Sequence, residues 1–183
     1  TETGNIVLLL LYQTMYASLI FVGIMLARDN PRLVRLLLIF GVIWLLAGAI
    51  YTFNQDAIWA NLFTYTAYIV FQCVVTFLLL QYVFTVKHIT RDVLYAAVAI
   101  YLLLGAIFVP VYGLVETITF AVSDGSMHAF TGGIATEGEV FAWQDFIYYS
   151  YVTLTTLGYG DILPVTMTAK ALVSLESVIG VLY

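Results

Sequence analysis

Long apolar runs broken by short polar interruptions set the pattern of the chain. The runs extend from Ile6 to Ala27, Leu33 to Phe53, Trp59 to Val86 and Val93 to about Val115, and another opens near Val165. A helix rises ~1.5 Å per residue, so about 20 apolar residues cross the ~30 Å hydrocarbon layer of a bilayer. Each of the runs before residue 116 meets that length and predicts a membrane helix. The interruptions are Arg28-Asp29-Asn30-Pro31-Arg32, Asn54-Gln55-Asp56 and Lys87 to Asp92. The last run reaches Tyr183 after only part of a bilayer thickness, which predicts that the natural polypeptide continues.

Between the fourth and last runs the pattern changes twice. Ser123 to Glu139 (SDGSMHAFTGGIATEGE) is rich in Gly, Ser and Thr and reads as an outer loop. From Phe141 to Thr155 the apolar and aromatic positions return, enough for a helix of ~22 Å that enters a membrane without crossing it. Non-helical backbone after such a re-entrant helix survives at membrane depth only where protein or water shields it. The helix gives way to Thr156-Leu157-Gly158-Tyr159-Gly160-Asp161, and Pro164 stands three residues further on.

Composition narrows the class. Hydrophobic residues make up 63% of the chain and charged ones 9%, too few to cover a water-soluble globule, so an integral, multi-pass membrane protein in contact with lipid is expected. Six Lys plus Arg stand against eleven Asp plus Glu, with no basic patch interleaved with aromatics, which excludes nucleic acid as a partner. Cys73 lies inside an apolar run, offers no disulfide or thiolate metal site, and is expected as a small core residue. Thr1 to Asn5 lack the basic region of a secretory signal, so residues 6–27 read as a membrane helix. No HExxH, GxSxG or Gly-rich phosphate loop occurs and titratable groups do not converge, so neither an enzyme nor a cofactor is expected.

Arg28, Arg32 and Arg35 flank the first polar interruption, and Lys87 and Arg91 lie in the third. Cations favour cytoplasmic loops, which puts these two loops inside and the N-terminus outside. The outer segments then carry Glu2, Asp56, Asp124, Glu137, Glu139, Asp145 and Asp161, with Glu116 near the interface. Such an acidic face favours an approaching cation.

The chemistry of residues 156–161 gives that cation a route. A dehydrated potassium ion needs its water replaced by oxygens, and consecutive backbone carbonyls aimed at one axis supply them in rings. Gly158 and Gly160 can take positive φ at little steric cost, and the Thr156 hydroxyl can add an innermost ring. The candidate filter, Thr156, Leu157, Gly158, Tyr159 and Gly160, takes its bounds from the family resemblance of residues 151–161. Potassium ions would be bound by the backbone of Thr156, Leu157, Gly158 and Tyr159 and by the Thr156 hydroxyl. The C-terminal end of the preceding helix presents partial negative charge below it. One segment per chain is one quarter of a fourfold ring, so a homotetramer is expected.

Tyr151 to Asp161 (YVTLTTLGYGD) resembles the pore loop of tetrameric potassium channels, the two-helix pore family that includes many prokaryotic members; the resemblance covers residues 92–183. It implies an all-α membrane protein of the prokaryotic plasma (inner) membrane. Residues 92–183 would form a pore domain with an outer helix at 92–121, an outer loop at 122–141 and a pore helix at 142–155. The filter at 156–161 and an inner helix at 165–183 would complete it. Residues 1–91 would form a domain of three N-terminal transmembrane helices, an unusual number for a family whose members more often have none or four; a helix before Thr1 or a variant architecture would account for it. The resemblance further implies that Tyr148 donates a hydrogen bond to Asp161, that Tyr149 braces Tyr159, and that Gly180 is the gating hinge. Val152 and Thr155 are assigned to filter support with them. Some members carry a glutamate where this chain has Val152, a departure that predicts weaker filter inactivation.

Glu176 falls well inside the last helix, where a charge is costly, and is assigned either to hydrogen bonding behind the filter with Ser150 or Thr153 or to a structural polar contact with no effect on conduction. Lys170, near the outer start of that helix, is expected to snorkel or to pair with a carboxylate. His88 and His128 are expected as solvated surface residues. Trp59 to Val86 contains no Lys or Arg, so weak or absent voltage dependence is expected. The function expected is a potassium-selective channel; the alternatives are a poorly selective cation channel and a non-conducting membrane sensor or scaffold.

Overall fold

The structure, a computed structural model, describes residues 31–54, 57–86, 91–132 and 141–183. The helix expected over Ile6 to Ala27 lies outside the described residues, as do Glu2, Arg28, Asp56, Lys87, His88, Glu137 and Glu139. Five helices occur among the described residues: α1 (Pro31–Phe53), α2 (Ile58–Thr85), α3 (Arg91–Val122), α4 (Trp143–Leu154) and α5 (Met167–Leu182). Strands β1 (Phe130–Gly132) and β2 (Ile162–Pro164) complete the order. Stretches of α1 (Leu33–Tyr51), α2 and α3 are long and apolar enough to cross a membrane. The protein is an all-α membrane protein, with one minimal strand pair among the described residues.

Local sequence explains where the helices stop and start. Pro31 opens α1, where its missing N–H costs nothing. Asn54 closes it with both its backbone N–H and its side-chain amide on Ile50 O, at 3.0 and 3.2 Å. Asp92 sits in the first turn of α3, on the positive end of the helix dipole. Pro110 lies inside α3 and removes the bond to the Ala106 carbonyl, a break that membrane helices tolerate when neighbours supply other donors.

The chain divides into two compact units, residues 1–100 and 101–183, with the division inside α3. In the first, α1 and α2 form an antiparallel pair. Trp44 lies 5.4 Å from the Tyr68 ring and 5.5 Å from the Phe71 ring, while Tyr51 meets Tyr65 at 6.2 Å. The buried Thr64 hydroxyl donates to Ala47 O at 3.0 Å. Cys73, expected in the core, is instead exposed on α2. An apolar run in a membrane helix has lipid as an alternative to protein, so apolar neighbours do not imply burial.

The second unit is organised around Phe130. Its ring meets those of Tyr112, Phe146 and Tyr149 edge-on at 5.3, 5.5 and 5.4 Å, the arrangement the ring quadrupole favours. Phe130 belongs to β1, which pairs antiparallel with β2 in the register Phe130 with Pro164, Thr131 with Leu163 and Gly132 with Ile162. The expected outer loop at 122–141 therefore contains a strand. Three residues are too few to leave an alternating pattern, and the partner that makes them a strand lies beyond α4.

Candidate functional site

Helix α4 aims the candidate filter. Its N-terminus is fixed by Asp145 Oδ2, which accepts from the Ala142 N–H at 3.0 Å. Its buried face carries Phe146, Tyr149, Ser150, Thr153 and Leu154. The helix ends by reversing hand: Thr156 has φ +60, Thr156 N–H donates to Thr153 O at 3.0 Å, and Leu157 N–H donates to Val152 O at 2.9 Å. These two bonds make a Schellman stop, whose left-handed position usually holds glycine. A β-branched residue there is a true outlier and costs roughly 1–2 kcal/mol. Thr155, at the C-cap, turns its hydroxyl back to Tyr151 O at 2.6 Å.

Beyond Thr156 the hand alternates. Gly158 has φ +54 and Gly160 φ +77, whereas Leu157 and Tyr159 are not left-handed. Alternation of this kind turns successive peptide groups the same way, with N–H groups on one side and carbonyls on the other. In a single chain Leu157 is 59% and Tyr159 66% exposed, and the neighbouring residues from Thr155 to Asp161 are exposed with them. An open cleft of about 370 Å³ lies against the segment, bordered by Val152, Thr153, Val173 and Ser177.

Of the two aromatic residues assigned to support, Tyr148 faces the segment and Tyr149 the core. Tyr148 lies within interaction range of Asp161. The aromatic that meets Tyr159 within the chain is Tyr148, with rings 6.5 Å apart and 11° from parallel. Tyr149, expected in that role, turns inward to Tyr112 and Phe130. The reason is helical geometry: neighbouring positions on α4 differ by ~100°, so when Tyr148 faces the segment Tyr149 faces the core. Val152 is buried at the base of the segment.

Glu176, 0% exposed on α5, places Oε1 2.5 Å from Ser150 Oγ, and its Oε2 accepts from the Tyr112 hydroxyl. Ser150 also reaches Gly105 O at 2.7 Å, so α3, α4 and α5 meet in one polar cluster. Of the expected hydroxyl partners, Ser150 is present; Tyr112, from α3, joins it with no local signal in the sequence. Gly180 packs against the end of α4: a β-carbon on it would lie 2.1 Å from Leu154 O. Close approach of two backbones thus accounts for this glycine. Lys170 is exposed at the start of α5.

His128, expected as a solvated residue, is paired. Its Nδ1 lies 2.6 Å from Glu116 Oε1, and Glu116, only 1% exposed, also accepts from Ala129 N at 2.7 Å and Phe130 N at 3.3 Å. The carboxylate pins the start of β1 to the end of α3, and β1 in turn holds β2, which comes directly after Asp161. The signal in the sequence is a glutamate within an apolar run, where a charge needs a partner.

Helices long and apolar enough to span a bilayer define an integral membrane protein, and the alternating loop follows the short helix α4. Residues 96–183, a little under half of the chain, match the sequence model of a family described as ion channel. Neither curated proteins nor solved structures gave a match to the chain.

Proposed function

We propose that the protein is a potassium-selective channel in which four copies of the Thr156–Gly160 segment surround one axis. The observation that carries this reading is the alternation of positive φ at Thr156, Gly158 and Gly160 beyond the end of α4. Rings of carbonyls from such a ribbon are what a dehydrated alkali cation requires. The exposure of the segment favours assembly, because irregular backbone at membrane depth needs protein or water around it. Tyr148 supports the segment through Asp161 and Tyr159, with Val152 and Thr155 at its base.

In this reading α3 is the outer helix, α4 the pore helix and α5 the inner helix. No helix with arginines spaced along its length lies among the described helices ahead of α3: Arg32 and Arg35, both in the first five residues of α1, are the only Lys or Arg in the sequences of α1 and α2. Each charge moved through the field contributes only ~2.3 kcal/mol per 100 mV, so steep voltage gating is not expected of them.

The test is potassium flux from liposomes holding the purified protein, with reversal potentials under mixed potassium and sodium. Selective potassium flux in the native protein, abolished by Gly158→Asp, is the expected result. Equal passage of sodium would favour a poorly selective cation channel, and liposomes impermeable under every gating condition would remove the channel reading.

A further inference from the structure

We infer that Glu176 is held as a neutral carboxylic acid that donates to Ser150 Oγ while accepting from Tyr112, a brace that positions α4 between α3 and α5. A count of hydrogens points to it. Ser150 Oγ stands 2.7 Å from Gly105 O and 2.5 Å from Glu176 Oε1. A serine hydroxyl carries one proton, and a carbonyl oxygen offers only lone pairs. With the Ser150 proton given to Gly105, which can only accept, the 2.5 Å contact needs a second hydrogen. The Glu176 carboxyl is the group that can supply it. Tyr112 uses its own phenolic proton on Oε2, the other carboxyl oxygen.

The surroundings agree with the count. Glu176 is fully buried, and the titratable groups that face it are phenols, Tyr112 from α3 and Tyr149 from α4. Among the described residues no Lys, Arg or His forms an ion pair with it. A buried carboxylate without a counter-charge is costly, and protonation removes that cost. A carboxylic acid also presents one donor and one acceptor, matching Ser150 and Tyr112 in number and kind. Ser150 lies on the same helix that stops at Thr156, so the brace fixes the direction in which α4 delivers the segment.

The consequence for conduction rests on the proposed function; the protonation does not. Infrared difference spectra of the purified full chain, native against Glu176→Gln, read the proton directly. The expected result is a carboxylic-acid C=O band at neutral pH that shifts in D₂O and is missing from the variant. Its absence from the native protein overturns the inference. The second arm is flux. Glu176→Gln keeps a donor for Ser150 and an acceptor for Tyr112, with one N–H more than the acid, and should retain potassium flux and selectivity, whereas Glu176→Leu should lower selective flux by about tenfold. Equal flux and selectivity in the leucine variant overturns the positioning role. Should Glu176→Leu fail to assemble, the infrared comparison decides alone; should the native protein pass no potassium, the function falls while the band still reports the proton.

Discussion

The backbone of Gly180 on α5 lies so close to the Leu154 carbonyl that a β-carbon would stand 2.1 Å from its oxygen. Two effects oppose each other in Gly180→Ala. Alanine favours a helix over glycine by ~1 kcal/mol, but the clash is with backbone, and overpacking costs about 1–3 kcal/mol. The clash wins. The expected outcome is a lower melting temperature in detergent, where a glycine serving only as a hinge would give a stabilised variant.

Thr156 holds a left-handed conformation that glycine adopts freely. Thr156→Gly is expected to leave stability unchanged or raise it by roughly 1 kcal/mol as strain is relieved. It also removes the hydroxyl proposed as the innermost ring. Thermal melts and reversal potentials on one preparation should therefore move in opposite senses, with stability kept and selectivity reduced. Thr156→Ser should keep both.

Glu116 serves the amides of Ala129 and Phe130 together with His128. Glu116→Ala strands those donors and is expected to cost about 3–5 kcal/mol. His128→Ala leaves the carboxylate with its two amides and, because the ring is 25% exposed, should cost much less. Hydrogen exchange at Ala129 and Phe130 orders the two variants. Equal protection in Glu116→Ala and the native protein would contradict the clasp.

Phe130 is 1% exposed and meets aromatic rings from both α3 and α4. Phe130→Ala is expected to destabilise the second unit by ~3–5 kcal/mol. Phe130→Leu, which keeps most of the volume, should recover over half of that loss. Melting temperatures of the pair check the order.

The helices and the loop they frame were legible because their signals are local. A run of about 20 apolar residues predicts a membrane helix whatever surrounds it; α1 and α2 begin and end close to the runs that foretell them, while α3 continues past its run, from about Val115 to Val122. The alternating hand at Gly158 and Gly160 was likewise legible, since only glycine takes positive φ cheaply. Thr156 was not, because its left-handed turn is imposed by the helix stop that its neighbours complete.

The remaining features depend on residues far apart in the chain. Whether Cys73 faces protein or lipid, and whether Tyr148 or Tyr149 meets Tyr159, turn on the rotation of a helix about its axis. Apolar character all round leaves that rotation open. The β1 and β2 pair, the joining of Tyr112 and Ser150 at Glu176, and the burial of Glu116 beside His128 likewise need folded partners. Order along the chain determined a helical membrane protein with a glycine-bearing loop after a short helix, because propensity and apolar length act within a few turns. Tertiary packing decided which buried carboxyl meets which donor, because that cost is offset only once elements distant in sequence are brought together.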